Sequence, residues 1–275
     1  MSKWNKGLPG IILTVSLSIS VLAGKAFSSE APIIVNYLVV EEKTQPFQIV
    51  SEEGHSRGGI ISDIVEAVFE GPAFAVKHHV MPVNRVQQSI ADLKVHHWIS
   101  FGSPVWTSFG EMGERVGVPL FETRHVLMTC SPDVPSEIDS VDDLAGLSIV
   151  TLRHFDYLGL DEAVEEGLVR LIPVDRYTAG LELVRVGSVD GFIEMVSRLR
   201  YQRKQLEGDH SCIREVDASA IIPNYPIHLY LDRRWPTTVK QFIAKRLEEM
   251  AAAGELEQIF NRYVLTEAIW QSSVQ

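Results

Sequence analysis

From Ile33 onward, short runs of β-branched and apolar residues alternate with segments whose apolar residues recur at helical spacing. That alternation restricts the chain to an α/β fold built on βαβ units and a mainly parallel sheet. Strands are predicted at Ile33–Val40, Phe74–Val80, Trp98–Gly102, Leu147–Leu152, Val169–Val174, Gly191–Met195 and Ile227–Leu231, with extended chain over Leu120–Thr129. Between them, helical faces are carried by Ile60, Ile61, Ile64, Val65, Val68 and Phe69, by Val86, Ile90 and Leu93, by Leu160, Val164 and Leu168, and by Thr178–Val186. Two helices close the chain, the first with Val239, Phe242, Ile243, Leu247 and Met250 on one face, the second with Leu256, Ile259, Phe260 and Tyr263 after a terminating Gly254. Ser140 with Asp143 forms a capping box ahead of Leu144. No period of roughly 20–50 residues recurs, so a solenoid is not indicated.

The 275 residues suffice for one large domain or two lobes of roughly 100 residues each, and two lobes are expected. The first 26 residues stand apart. Lys3 and Lys6 precede an almost uncharged run from Leu8 to Ala23, the pattern of a secretory signal peptide cut after Ala26 or Ser28. The run is short and Gly- and Ser-rich for a retained spanning helix, and no Cys follows it to carry a lipid anchor. Cutting after Ala26 takes away three lysines and no acid, moving the net charge from −11 to −14. Such an acidic chain lacks the basic face that phosphate-backbone binding requires, which excludes nucleic acid as a partner. Cys130 and Cys212 both lie in the mature part, where export leaves either a disulfide or two buried thiols open.

Several segments, in order, are similar to landmarks of the bacterial extracellular solute-binding proteins of family 3, the periplasmic receptors of polar amino-acid importers. They are Gln45-Pro46-Phe47, Gly58-Gly59-Ile60-Ile61-Ser62-Asp63-Ile64, Met81-Pro82-Val83-Asn84-Arg85, Glu114-Arg115 before Pro119-Leu120-Phe121, and Val141-Asp142-Asp143-Leu144-Ala145-Gly146. Leu183 to Phe192, with its Gly187-Ser188-Val189-Asp190, and the closing Ala253 to Tyr263 complete the series. The resemblance implies a type II periplasmic-binding-protein fold: two α/β lobes, about 31–123 plus 224–275 and 124–223, joined by two extended hinge strands and closing over a solute in the cleft. It also implies a periplasmic location, a small-molecule ligand, an ABC permease partner and a monomer, with no cofactor.

The expected ligand contacts depart from the amino-acid pattern. Family members clamp the ligand carboxylate with an Arg four residues after a Thr; here Thr107 is followed at longer spacing by Arg115, the best candidate for that clamp. The position five residues after Asp190, where the family has an amine-binding Asp, is Met195, and Glu194 takes the role only with a shift of register. Arg153, in Thr151-Leu152-Arg153-His154-Phe155, stands where relatives present backbone amides to the carboxylate. Arg85 begins a helix on the cleft side. Phe47 and Trp106, with Ser103 beside it, follow strands at the edge where open α/β sheets hold ligands, and Tyr157 is a weaker aromatic candidate. Burial in a lobe core competes with each aromatic assignment.

His78-His79 and His96-His97 are adjacent pairs whose side chains face opposite sides of a strand, so neither chelates as a unit and no metal is expected. No Gly-x-Ser-x-Gly or Gly-rich phosphate loop is present. Capture of a small polar or anionic organic solute is the expected function, without catalysis. The alternatives are a sensor or accessory binding protein with no transporter, and a cleft enzyme of the cyclohexadienyl dehydratase type using Glu194, or Glu122 near His125, as acid or base.

Overall fold

The computed structural model describes residues 31–106, 113–153, 155, 157 and 159–264. The expected signal segment and Thr107–Met112 lie outside the described residues. The elements run β1 (Ile33–Val40), α1 (Ile60–Val68), β2 (Phe74–Met81), α2 (Val83–Ala91), β3 (Trp98–Gly102), β4 (Gly113–Arg115), β5 (Phe121–Thr123) and β6 (His125–Thr129). After a short 3-10 helix at Val141–Leu144 come β7 (Ser148–Leu152), α3 (Asp161–Glu165), β8 (Arg170–Val174), α4 (Tyr177–Arg185), β9 (Gly191–Met195), α5 (Val196–Arg203) and β10 (Arg214–Asp217). The chain ends with β11 (Tyr225–Asp232), α6 (Thr237–Ala252) and α7 (Glu255–Val264).

These strands form two sheets. One has the order β2-β1-β3-β11-β4, with β5 also on β11; the other has the order β10-β6-β9-β7-β8. Both are mixed rather than mainly parallel. β1 pairs in parallel with β2 and β3, and β7 with β8 and β9. β11 runs antiparallel to β3, β4 and β5, and β6 antiparallel to β9 and β10. The cause is topological: the chain leaves the first sheet at β5 and re-enters it at β11, and a strand arriving from the other sheet need not follow the βαβ direction. Only Arg124 separates β5 from β6, so the expected extended stretch Leu120–Thr129 is divided between the two sheets. The departing and returning strands pair where Tyr225 faces Thr123.

Other departures have local causes. α2 stops at Ala91, and Leu93, 60% exposed with φ 55°, lies beyond it rather than on its apolar face. α3 closes after five residues, leaving Leu168 outside it. Phe242 is not buried with its helix neighbours; it is 39% exposed and stacks on Phe74 at 5.1 Å. α5 has no apolar stripe, since Val196-Ser197-Arg198-Leu199-Arg200 mixes charge on every face, and periodicity alone does not reveal it.

Each sheet has its own core. Val35, Tyr37, Ile61, Ile64, Ile99, Leu229 and Ile243 pack around the first, and Leu127, Leu144, Ile149, Leu160 and Ile193 on one face of the second. α4 and α5 cover its other face, packing Leu181, Val184 and Leu199 in one cluster with Phe192 of β9. Cys130, just after β6, is disulfide-bonded to Cys212, just before β10, with the Cα atoms 5.1 Å apart. Asp190 of the Gly187-Ser188-Val189-Asp190 segment staples β9 to β7, accepting the Ser148 N–H and hydroxyl at 2.7 Å each.

Candidate functional site

The loop after β1 is held by Gln48. Its side-chain amide donates to the Tyr37 hydroxyl and the Leu38 carbonyl and accepts the Val40 N–H, all within 2.9 Å. Gly59, at φ 113°, then admits the Phe47 carbonyl, which would lie 2.6 Å from any Cβ placed there, and α1 starts. Tyr263 of α7 ties this turn down by accepting the Gly59 N–H and donating to Asp63. The result fixes Phe47, fully buried, against Phe101 and Phe121 of the first core.

On the second sheet the last residues of β9 alternate in direction. Met195 packs into the first core while Glu194 points into the interior of the second sheet's layers. Glu194 is 2% exposed; Oε2 accepts the Tyr157 hydroxyl at 3.1 Å and Oε1 the Met195 N–H at 2.8 Å. Tyr157 in turn accepts the Leu152 N–H at 2.8 Å, which anchors the loop after β7. One helical turn beyond Glu194, Arg198 of α5 brings Nη1 to 3.6 Å from Oε1, forming a buried ion pair.

Arg198 is the centre of the arrangement. Its guanidinium carbon lies 5.1 Å from the ring centre of Phe47, on the first-sheet side, and 5.1 Å from that of Phe155, in the loop after β7. A cation between two rings is favourably placed, more so when desolvated. Tyr177, at the start of α4, reaches across to the loop after β1, where its hydroxyl donates to the Lys43 carbonyl at 3.3 Å. Among the described residues Arg198 Nε and Nη1 have no hydrogen-bond partner, nor has Nδ1 of His125, itself 4% exposed at the start of β6. Burial first, and then the positive charge of Arg198, hold the His125 imidazole down at about 4, so it is neutral near pH 7. Burial pushes the hydroxyls of Tyr157 and Tyr177 well above the ordinary phenol range and raises that of Tyr225, keeping all three neutral.

Of the residues predicted from sequence, the structure brings Phe47, Tyr157 and Glu194 into this cluster. Trp106 joins its margin, donating from Nε1 to the Tyr225 hydroxyl at 3.3 Å, and Tyr225 lies 5.5 Å from the His125 ring. Ser103 is buried just before it. The three arginines proposed as charge anchors stand elsewhere: Arg85 is exposed at the start of α2, Arg115 is exposed on β4 with Nη1 3.4 Å from His228, and Arg153 pairs with exposed Asp175 at 3.0 Å. Glu122 is exposed on β5. Sequence reasoning missed Arg198, His125 as a buried neutral base, and Phe155; the one available signal was the four-residue spacing of Glu194 and Arg198.

His78 sits 2.7 Å from Glu66, His79 sits 2.7 Å from Asn36, and His97 stacks on Trp235. No group of three His, Cys, Asp or Glu fit for a metal occurs among the described residues. No helix among the described residues is long and apolar enough to cross a membrane.

The sequence matches no protein-family model and no curated protein. Its backbone, by contrast, matches solved structures over most of its length. The probable amino-acid ABC transporter extracellular-binding protein ytmK from Bacillus subtilis aligns over 85% of this chain and 98% of its own, with a TM-score of 0.67 at 14% identity. The GluR0 ligand-binding core in complex with L-glutamate aligns over 86% of this chain and 99% of its own, with a TM-score of 0.63 at 15% identity. Substrate-binding domain 2 of GlnP from Lactococcus lactis, in an open conformation, covers 86% and 97% at 0.61 and 15%. The chain has the two-lobed α/β fold of these extracellular binding proteins, as the resemblance to family 3 implied.

Proposed function

We propose that this protein is an exported solute-binding protein that captures a small polar or anionic organic molecule between two lobes, 31–123 with 224–275 and 124–223, and does no chemistry on it. The observation that carries this reading is the convergence of both sheets on one buried charge, with Arg198 set between Phe47 and Phe155 and Tyr177 reaching across to Lys43. Aromatic and polar side chains contributed by two separately cored layers, joined by two short strand crossings, suit closure around a small ligand. Handing that ligand to an inner-membrane ABC permease from the periplasm, as a monomer, completes the proposal. Nucleophile, metal cluster and phosphate loop play no part in it.

Thermal unfolding against amino acids, organic acids, polyamines and short peptides tests the reading. A ligand that binds only the native state contributes about 2.7 kcal/mol at a hundredfold excess over Kd and raises the midpoint by about 5–10 °C. Small-angle scattering with the active compound is expected to show a smaller radius of gyration. Silence across every class, or a compound consumed rather than returned unchanged, overturns it.

A further inference from the structure

We infer that the ligand is an organic carboxylate without an amino group, and that its carboxylate is held by the unmet N–H groups of Arg198. This rests on the solute-capture reading and narrows it to a chemical class. Arg198 is 3% exposed, and Nε and Nη1 lack acceptors among the described residues. Guanidinium N–H groups left unpaired in a buried site are costly, and an oxyanion meets them with charge-assisted bonds. Glu194 does not do this. Its two oxygens already accept the Tyr157 hydroxyl and the Met195 N–H, and it lies 3.6 Å from Nη1, beyond a hydrogen bond. The cation is thus neutralised but not saturated.

The pairing of Glu194 argues against a ligand amine. An ammonium entering here needs an anion of its own, and the charge of the cluster's buried carboxylate is already balanced by Arg198 at 3.6 Å, with one hydrogen bond accepted at each oxygen. His125 adds a second unpaired nitrogen that a carboxylate oxygen can meet as an N–H donor, one tautomer of the neutral ring supplying it. The rings of Phe47 and Phe155 border the cation and favour an organic body over a hydrated inorganic ion.

The test compares benzoate, succinate, glutamate, lysine, putrescine and inorganic phosphate at equal concentration on the full chain, by thermal midpoint and calorimetry. Benzoate or succinate is expected to raise the midpoint by about 5–10 °C at a hundredfold excess over Kd, with no response to lysine or putrescine. Arg198→Lys keeps the charge but loses Nε–H and is expected to weaken acid binding at least tenfold while still melting cooperatively. If that variant does not fold, the double variant Glu194→Gln with Arg198→Met, which removes both charges together, is the one compared. Undiminished acid binding in the variant that folds overturns the assignment to Arg198. A response only to lysine, glutamate or putrescine overturns the ligand class and leaves solute capture standing, and a response to phosphate alone overturns the organic part. Silence from all six, with a hit elsewhere in the wider panel on a compound that carries an amino group or lacks a carboxylate, likewise overturns this inference alone.

Discussion

Arg198 and Glu194 show how little a residue's identity says before its surroundings are known. An Arg in Val196-Ser197-Arg198-Leu199-Arg200 reads as a solvated surface charge, yet here it is buried between two rings with a carboxylate beside it. Removing one partner leaves the other as an uncompensated buried charge, so Arg198→Met is expected to cost about 3–5 kcal/mol in urea unfolding. The double variant with Glu194→Gln should cost less than Arg198→Met alone; an equal or greater cost would show that the pair contributes through packing and not charge. His125 supplies the pH dependence. Its native pKa near 4 lies below the ordinary histidine value of 6.5, so between those values the unfolded chain binds the extra proton and stability falls as pH falls. The loss by pH 4 is expected to approach about 3 kcal/mol, and His125→Gln should flatten that part of the stability curve.

At the scale of elements, the loop and helix that carry Phe47 depend on one backbone position. Gly59 has φ 113° and stands where a Cβ would meet the Phe47 carbonyl at 2.6 Å and Gln48 Cα at 2.9 Å. Gly59→Ala is expected to destabilise the protein by about 2–3 kcal/mol and to weaken ligand binding through displacement of Phe47, whereas Gly54→Ala, in open space, should leave binding unchanged. Most helices and strands were legible in sequence because each buries one face and repeats its apolar residues accordingly, as in α1 and β1. α5 was not, because its buried turn places Ser197 and Arg198 beside the apolar Val196 and Leu199, so no apolar face repeats along it. α3 and the end of α2 ended early where Gly167 and the left-handed Leu93 redirect the backbone, a choice that periodicity does not encode.

For the whole molecule, the disulfide between Cys130 and Cys212 closes a loop with a sequence separation of 82 around β7, β8, β9 and the helices on them. Such a loop, opened by reduction, adds chain entropy to the unfolded state worth roughly 4 kcal/mol, so reduction is expected to lower the midpoint by about 10 °C, as scanning calorimetry with and without reductant would show. An unchanged midpoint would mean that the second sheet's packing alone sets its stability. The sequence by itself determined the α/β class and the positions of most elements, because these follow from local periodicity and turn chemistry along the chain, while the two-lobed architecture was implied by the resemblance of its ordered landmarks to family 3. It also marked Phe47, Tyr157 and Glu194, which lie at the ends of legible elements. The meeting of these residues with Arg198, His125 and Phe155 was decided only in three dimensions, since it depends on where β5 and β11 cross between the sheets and on which buried nitrogens are left without a hydrogen-bond partner among the described residues once both cores have packed.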